Sequence, residues 1–169
     1  FFLNLWPDDM HTPWVPEAYA DLRDRWERED AFVPVLQEMD KQLGRFLDEL
    51  DRMGLADNTI IIFTSDNGPA PSFEQRRTLG MRGAKNSLYE GGINMPFIIR
   101  YPGHIQAGGV DSTSVISAMD LYPSLCRMAG IRLEKGYKSD GEDRSQTLLG
   151  KRKARKGDLM WDFGRNKFF

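Results

Sequence analysis

The sequence predicts an α/β protein, a layered sheet with helices on both faces. Two stretches carry that expectation. Residues 59–64 form an almost unbroken β-branched and aromatic run between Asp57-Asn58 and Asn67-Gly68-Pro69, the pattern of a central strand buried on both faces as in a parallel sheet. Upstream, Phe32, Leu36, Met39, Leu43, Phe46, Leu50 and Met53 recur at three- and four-residue steps. That is the core-facing stripe of a helix over 31–53, with Gly54 as its terminator.

The remaining elements fill in around these two. Phe1 to Trp6 reads as an apolar strand and Pro16 to Glu29 as a polar helix carrying Trp26. The central strand, 60–65, leads into a glycine-rich loop and then a strand over 96–101. Ser112 to Ser117 suits a short strand, and Asp120 the cap of a helix running through Ala129 to a stop at Gly130. Residues 134–157 read as polar surface loops, and 158–163 as a last strand whose partner lies elsewhere. Strands alternating with helices place all 169 residues in one unit, with its core in 1–130 and loops and a last strand in 131–169.

Composition sets limits on function. The 40% of hydrophobic residues is enough to build a core, and no run approaches the roughly 18 apolar residues of a membrane-spanning helix. With 23 basic and 25 acidic residues, the net charge of −2 gives no reason to expect nucleic acid as a partner. The basic run Lys151 to Lys156 reads as a solvated loop rather than as the approach for a polyanionic glycan. Cys126 falls at core spacing with Tyr122 and Ala129, which suits packing rather than nucleophilic attack.

The chemistry concentrates between residues 60 and 103. Asp66 and Asn67 sit at the carboxyl end of the central strand, where open α/β sheets place their ligands. A carboxylate beside an amide oxygen suits a hard cation such as calcium or magnesium, although Asp-Asn-Gly is also ordinary turn chemistry. Lys85 lies in a loop bearing Gly80, Gly83, Gly91 and Gly92, and offers three donors and a compact charge to an anionic oxygen. A P-loop needs Gly-Lys followed by Ser or Thr, whereas Gly83-Ala84-Lys85-Asn86 breaks that order.

These residues resemble a known family. The blocks 59–68, 82–93 and 96–103, together with His11-Thr12-Pro13, the helix end 46–55, Ser139-Asp140-Gly141 and Leu148-Leu149-Gly150, are similar to sulfatases of the arylsulfatase type in the alkaline phosphatase superfamily. The resemblance implies an alkaline-phosphatase-like fold, present here in part, and hydrolysis of a sulfate ester to inorganic sulfate. It implies metal ligation by Asp66 and Asn67, with calcium favoured over magnesium. Lys85 matches the lysine that binds a sulfate oxygen. His11 matches the histidine that contacts sulfate and protonates the departing alcohol, a role an imidazole can fill near neutral pH. The implied partner is a sulfate ester, with a sulfated glycan among the candidates.

Asp8 and Asp9 imitate the aspartate pair that opens such domains, but His11 follows within two residues. They read instead as loop carboxylates near the pocket rim. The formylglycine motif, Cys or Ser followed by x-Pro-x-Arg, does not occur in the chain. The formylglycine nucleophile is therefore expected in an upstream segment of the same enzyme, making this chain the carboxyl-side portion of the catalytic domain and half of its site. Phe1 opens inside an apolar run without an initiator methionine or signal peptide, which agrees with that reading. Family habit implies an exported or lysosomal protein, with the bacterial periplasm favoured. A phosphoester or phosphonate ester hydrolase of the same superfamily and a noncatalytic glycan-binding or scaffold protein are the alternatives.

Overall fold

The computed structural model describes residues 1–15, 29–151, 153–163 and 166–168. They form two compact units, one of Phe1–Ala56 with Asn67–Ile93 and the other of Asp57–Asp66 with Asn94–Phe169. The polar helix expected over 16–29 lies, but for Glu29, outside the described residues.

The first unit is built on α1, Glu29–Arg52. Glu29 and Asp30 occupy its first turn and Arg52 its last, the charge sense that complements the helix dipole. Pro34 lies inside the helix at the cost of one backbone hydrogen bond. Gly54 ends it as expected: at φ 67 it turns the chain so that the Leu55 N–H reaches the Leu50 carbonyl at 2.9 Å. Ala31, Met39 and Leu50 are buried, whereas Leu36 and Met53 from the predicted stripe are exposed. Trp14 fills the local core, 1% exposed, with its ring 5.1 Å from Phe32 and 5.5 Å from Phe73. The short helix α2, Glu90–Ile93, closes this unit.

The strand expected over 1–6 does not form. A strand needs a hydrogen-bonded neighbour, and none of the described residues pairs with this run. Phe1, Phe2 and Trp6 are left largely exposed.

In the second unit β1, Ile61–Thr64, pairs antiparallel with β2, Phe97–Arg100, in the register Ile61 to Arg100 and Thr64 to Phe97. This corrects the parallel, doubly buried strand expected from the apolar run. Among the described residues β1 has a single neighbour, and Phe63 and Ile98 are exposed. The expected strand over 112–117 does not form, and its first residues make a turn instead. The Asp111 carboxylate accepts the Thr113 and Ser114 N–H groups at 2.9 and 3.0 Å, taking donors that a ladder would need.

α3, Ala118–Met128, starts three residues earlier than expected. Ser117 is the cap, and Asp120, inside the first turn, accepts the Ser117 N–H at 2.8 Å. Asp120 is also fully buried, and the segment read as polar surface loops folds onto it. Its carboxylate accepts the Glu142 N–H at 2.7 Å and both terminal nitrogens of Arg155, one at 3.1 Å. Ser124, likewise buried, donates to the Asp120 carbonyl at 2.5 Å and accepts the Arg144 N–H at 2.7 Å. Arg144 in turn donates to the carbonyls of Lys153 and Ala154 at 2.6 and 2.8 Å.

The basic run is thus not a freely solvated loop. Two of the chain's arginines tie its backbone and its Arg155 side chain to α3, with α4, Ser145–Leu148, packed beneath. Gly141 allows the approach, since a Cβ there would stand 2.1 Å from the Met119 carbonyl oxygen. The last strand, β3 at Trp161–Phe163, finds its partner within the chain, pairing antiparallel with β4, Asn166–Phe168.

Candidate functional site

The glycine-rich loop folds as tightly as its composition suggests, by close contact of backbone on backbone. The Gly68 N–H donates to the Gly92 carbonyl at 2.9 Å, and the Gly91 N–H to the Arg82 carbonyl at 2.8 Å. A Cβ on Gly68 would stand 2.0 Å from the Gly91 oxygen, and one on Gly91 2.2 Å from the Gly83 oxygen. No larger residue fits these positions. The Lys85 N–H donates to the Pro69 carbonyl at 2.8 Å, which fixes the lysine to the start of the loop. Asn86 follows at φ 68, a left-handed conformation that asparagine accepts better than most residues.

His11 approaches Lys85 within the first unit. Its loop is a turn closed by the His11 N–H to the Asp8 carbonyl at 3.0 Å, followed by a cis Thr12-Pro13 bond. Trp14 anchors this loop in the core, its indole N–H reaching the Met10 carbonyl at 3.3 Å. The result is a contact between residues far apart in sequence: Lys85 Nζ lies 3.2 Å from His11 Nε2. An ammonium only donates, so His11 Nε2 accepts, and the ring proton is on Nδ1, 2.8 Å from the Thr12 carbonyl it donates to. Histidine and lysine therefore meet at one point, with Lys85 as donor and His11 Nε2 as acceptor.

Asp66 and Asn67 are adjacent where β1 runs out. Asp66, exposed, ends its segment of the second unit, and the half-buried Asn67 opens the loop segment of the first. Among the described residues no group of three or more histidine, cysteine or acidic side chains is assembled. The carboxylate and amide oxygens of this pair fit a hard divalent cation as two members of a larger oxygen set.

Trp14, Arg76 and Arg77, side chains of the kind that stack on or bind sugars, are engaged within the fold. Trp14 is core, and the Arg77 guanidinium lies over the Trp14, Phe32 and Phe73 rings at 5.1 to 5.4 Å, donating to the Ala70 carbonyl. Arg76 pairs with Glu29 at 2.7 Å. Trp161 is half-buried in β3, and Arg165 lies outside the described residues. The packing role of Gly68 was hidden in the sequence, where it reads simply as the end of a turn.

The pattern of the family described as Sulfatase matches residues 1–131. The chain belongs to the sulfatase family. It is 34% identical over 163 residues to the N-acetylgalactosamine-6-O-sulfatase of Bacteroides thetaiotaomicron, a match covering 89% of this chain and 31% of that sulfatase. To human arylsulfatase A it is 32% identical over 164 residues, 95% of this chain and 31% of the relative. A solved structure from work on the metabolism of multiple glycosaminoglycans by Bacteroides thetaiotaomicron superposes with a TM-score of 0.68 at 30% identity, covering 89% of this chain and 32% of that one. Ps i-CgsB in complex with k-i-k-neocarrahexaose gives 0.66 at 25% identity, covering 83% and 32%.

The chain thus has the alkaline-phosphatase-like fold of sulfatases, and it spans about a third of the length of these relatives. The family is one of metal-dependent enzymes, its members act on sulfated substrates, and those matched here come from bacteria and mammals. No described helix is long and apolar enough to cross a membrane.

Proposed function

We propose that this chain carries one wall of the active site of a sulfuric ester hydrolase that releases inorganic sulfate from a sulfate ester. The observation that supports this best is the 3.2 Å approach of Lys85 Nζ to His11 Nε2 beside a loop packed backbone against backbone. Two nitrogens so placed match a tetrahedral anion, which replaces the lysine–histidine hydrogen bond with a charge-assisted one to each. Lys85 neutralises charge on the sulfuryl oxygens as the ester bond breaks, the type of electrostatic contribution that commonly dominates such reactions. Once the anion has displaced Lys85 from Nε2, that nitrogen takes up a proton from solvent, and with Nδ1–H still held by the Thr12 carbonyl this is the proton His11 gives to the departing alcohol.

Asp66 and Asn67 are assigned as ligands of a divalent cation, calcium in preference to magnesium. When bound, that cation supplies Lewis-acid polarisation of the sulfate group. The nucleophile, formylglycine, is assigned to a segment of the same enzyme upstream of this one, making both compact units parts of one catalytic domain. An exported location, periplasmic for a bacterial source, completes the assignment. The names of the relatives favour sulfate over phosphate, and hydrolysis over a purely binding role.

The test is Lys85→Ala in the full-length enzyme, assayed on an aryl sulfate. A fall in kcat/KM of about 100-fold or more is expected. An unchanged rate, or faster turnover of the matching aryl phosphate by the parent enzyme, sinks the assignment.

A further inference from the structure

A groove of about 580 Å³ opens beside His11, between the loop of residues 8–15 and the second to fourth turns of α1. Its lining is mixed, with Pro13, Val15, Pro34 and Val35 among its polar and acidic residues. Asp8 and Asp9 stand on the loop side, while Gln37, Glu38 and Lys41 face it from the helix. The single lysine is already engaged: Lys41 Nζ lies 3.4 Å from Glu38 Oε2, whose other oxygen accepts from Gln42 at 2.7 Å. Three carboxylates, Asp8, Asp9 and Glu38, therefore face the groove against the one lysine, which is paired with Glu38.

His11, assigned above as the residue that hands a proton to the leaving oxygen, is part of the groove's lining. Whatever is attached to that oxygen must leave from His11 in some direction, and this groove is open to it. Carboxylates and an amide at its rim accept hydrogen bonds from hydroxyl groups and repel a second anion. We propose that this groove receives the alcohol portion of the substrate, and that Asp8 and Asp9 select a hydroxylated, otherwise uncharged sugar over one bearing a further sulfate. This rests on the sulfatase reading and adds a substrate class to it.

The test uses the full-length enzyme and two saccharides, one with a single sulfate and one with a second sulfate on the neighbouring ring. The readout is the ratio of kcat/KM for the disulfated to the monosulfated compound. In the double variant Asp8→Asn/Asp9→Asn that ratio is expected to rise about tenfold, because two like charges at close range have been removed. In the parent enzyme, raising the salt concentration from about 0.05 to 0.5 M should raise the same ratio by screening the repulsion. A ratio that stays constant under both changes overturns the selectivity while leaving sulfate ester hydrolysis intact. An enzyme that hydrolyses neither saccharide nor any aryl sulfate overturns the sulfatase reading, and this inference falls with it.

Discussion

At the scale of single residues, the loop that carries Lys85 depends on missing side chains as much as on present ones. Gly91→Ala would drive a methyl group to 2.2 Å from the Gly83 oxygen, and backbone on both sides leaves little room to yield. A loss of about 1–3 kcal/mol in denaturant unfolding is expected, with a fall in activity of the full-length enzyme. Gly44 in α1 is the control, since nothing lies within 4 Å of a Cβ there. Gly44→Ala should raise stability by about 0.5–1 kcal/mol through helix propensity alone. If both variants behave alike, close packing is not what the loop glycines supply. His11 shows the limit of sequence at this scale. Its pairing with Lys85 spans residues that no local pattern connects, and it was legible only through the family resemblance.

At the scale of elements, the attachment of the 141–157 segment to α3 is the feature least visible in sequence. Arg155, with its side chain 12% exposed, meets Asp120, whose side chain is fully buried. Arg155→Met would strand that carboxylate, and a loss of about 3–5 kcal/mol is expected by chemical denaturation. Part of it should return in the double variant with Asp120→Asn. Burial pushes the Asp120 carboxyl upward, but Arg155 and the N–H groups of Ser117 and Glu142 outweigh it and hold the group below the ordinary aspartate value. A depressed folded value gives stability that is present above the unfolded value and lost as pH falls through the folded one. The contribution of Asp120 should therefore persist at neutral pH and disappear only below about pH 4, the ordinary aspartate range. The pH dependence of unfolding in the parent and Asp120→Asn proteins measures this directly. A parallel pair of curves through that range counts against the network. Glu142 joins it, held low by the backbone N–H groups of Gly157 and Lys156 and by the neighbouring arginines.

At the scale of the whole molecule, the described residues expose Phe1, Phe2 and Trp6, each more than three-quarters accessible, as well as Ile98 on β2. Apolar surface and strand edges of this kind favour association. The 169-residue chain taken alone is expected to self-associate as its concentration rises, which sedimentation velocity would register as growing weight-average mass. A strictly monomeric chain across a hundredfold range of concentration contradicts this. In the full-length enzyme, removal of divalent cations by a chelator should lower both melting temperature and activity, with calcium restoring them better than magnesium. Restoration by neither ion would remove Asp66 and Asn67 from the ligand set.

Local pattern determined a good deal of this protein. The period of α1, its end at Gly54, the extent of β1 and β2 and the glycine loop around Lys85 all follow from residues close together in the chain. Such features are set by steric and hydrogen-bonding preferences within a few residues. Tertiary structure decided the rest. It turned the apolar run of β1 into one half of an antiparallel pair and, among the described residues, left 1–6 without a strand partner. It buried Trp14, brought His11 to Lys85, and drew a basic run down onto Asp120. Each of these depends on which distant group arrives to satisfy a donor, a charge or an apolar face, and a partner that distant leaves no mark on the local sequence.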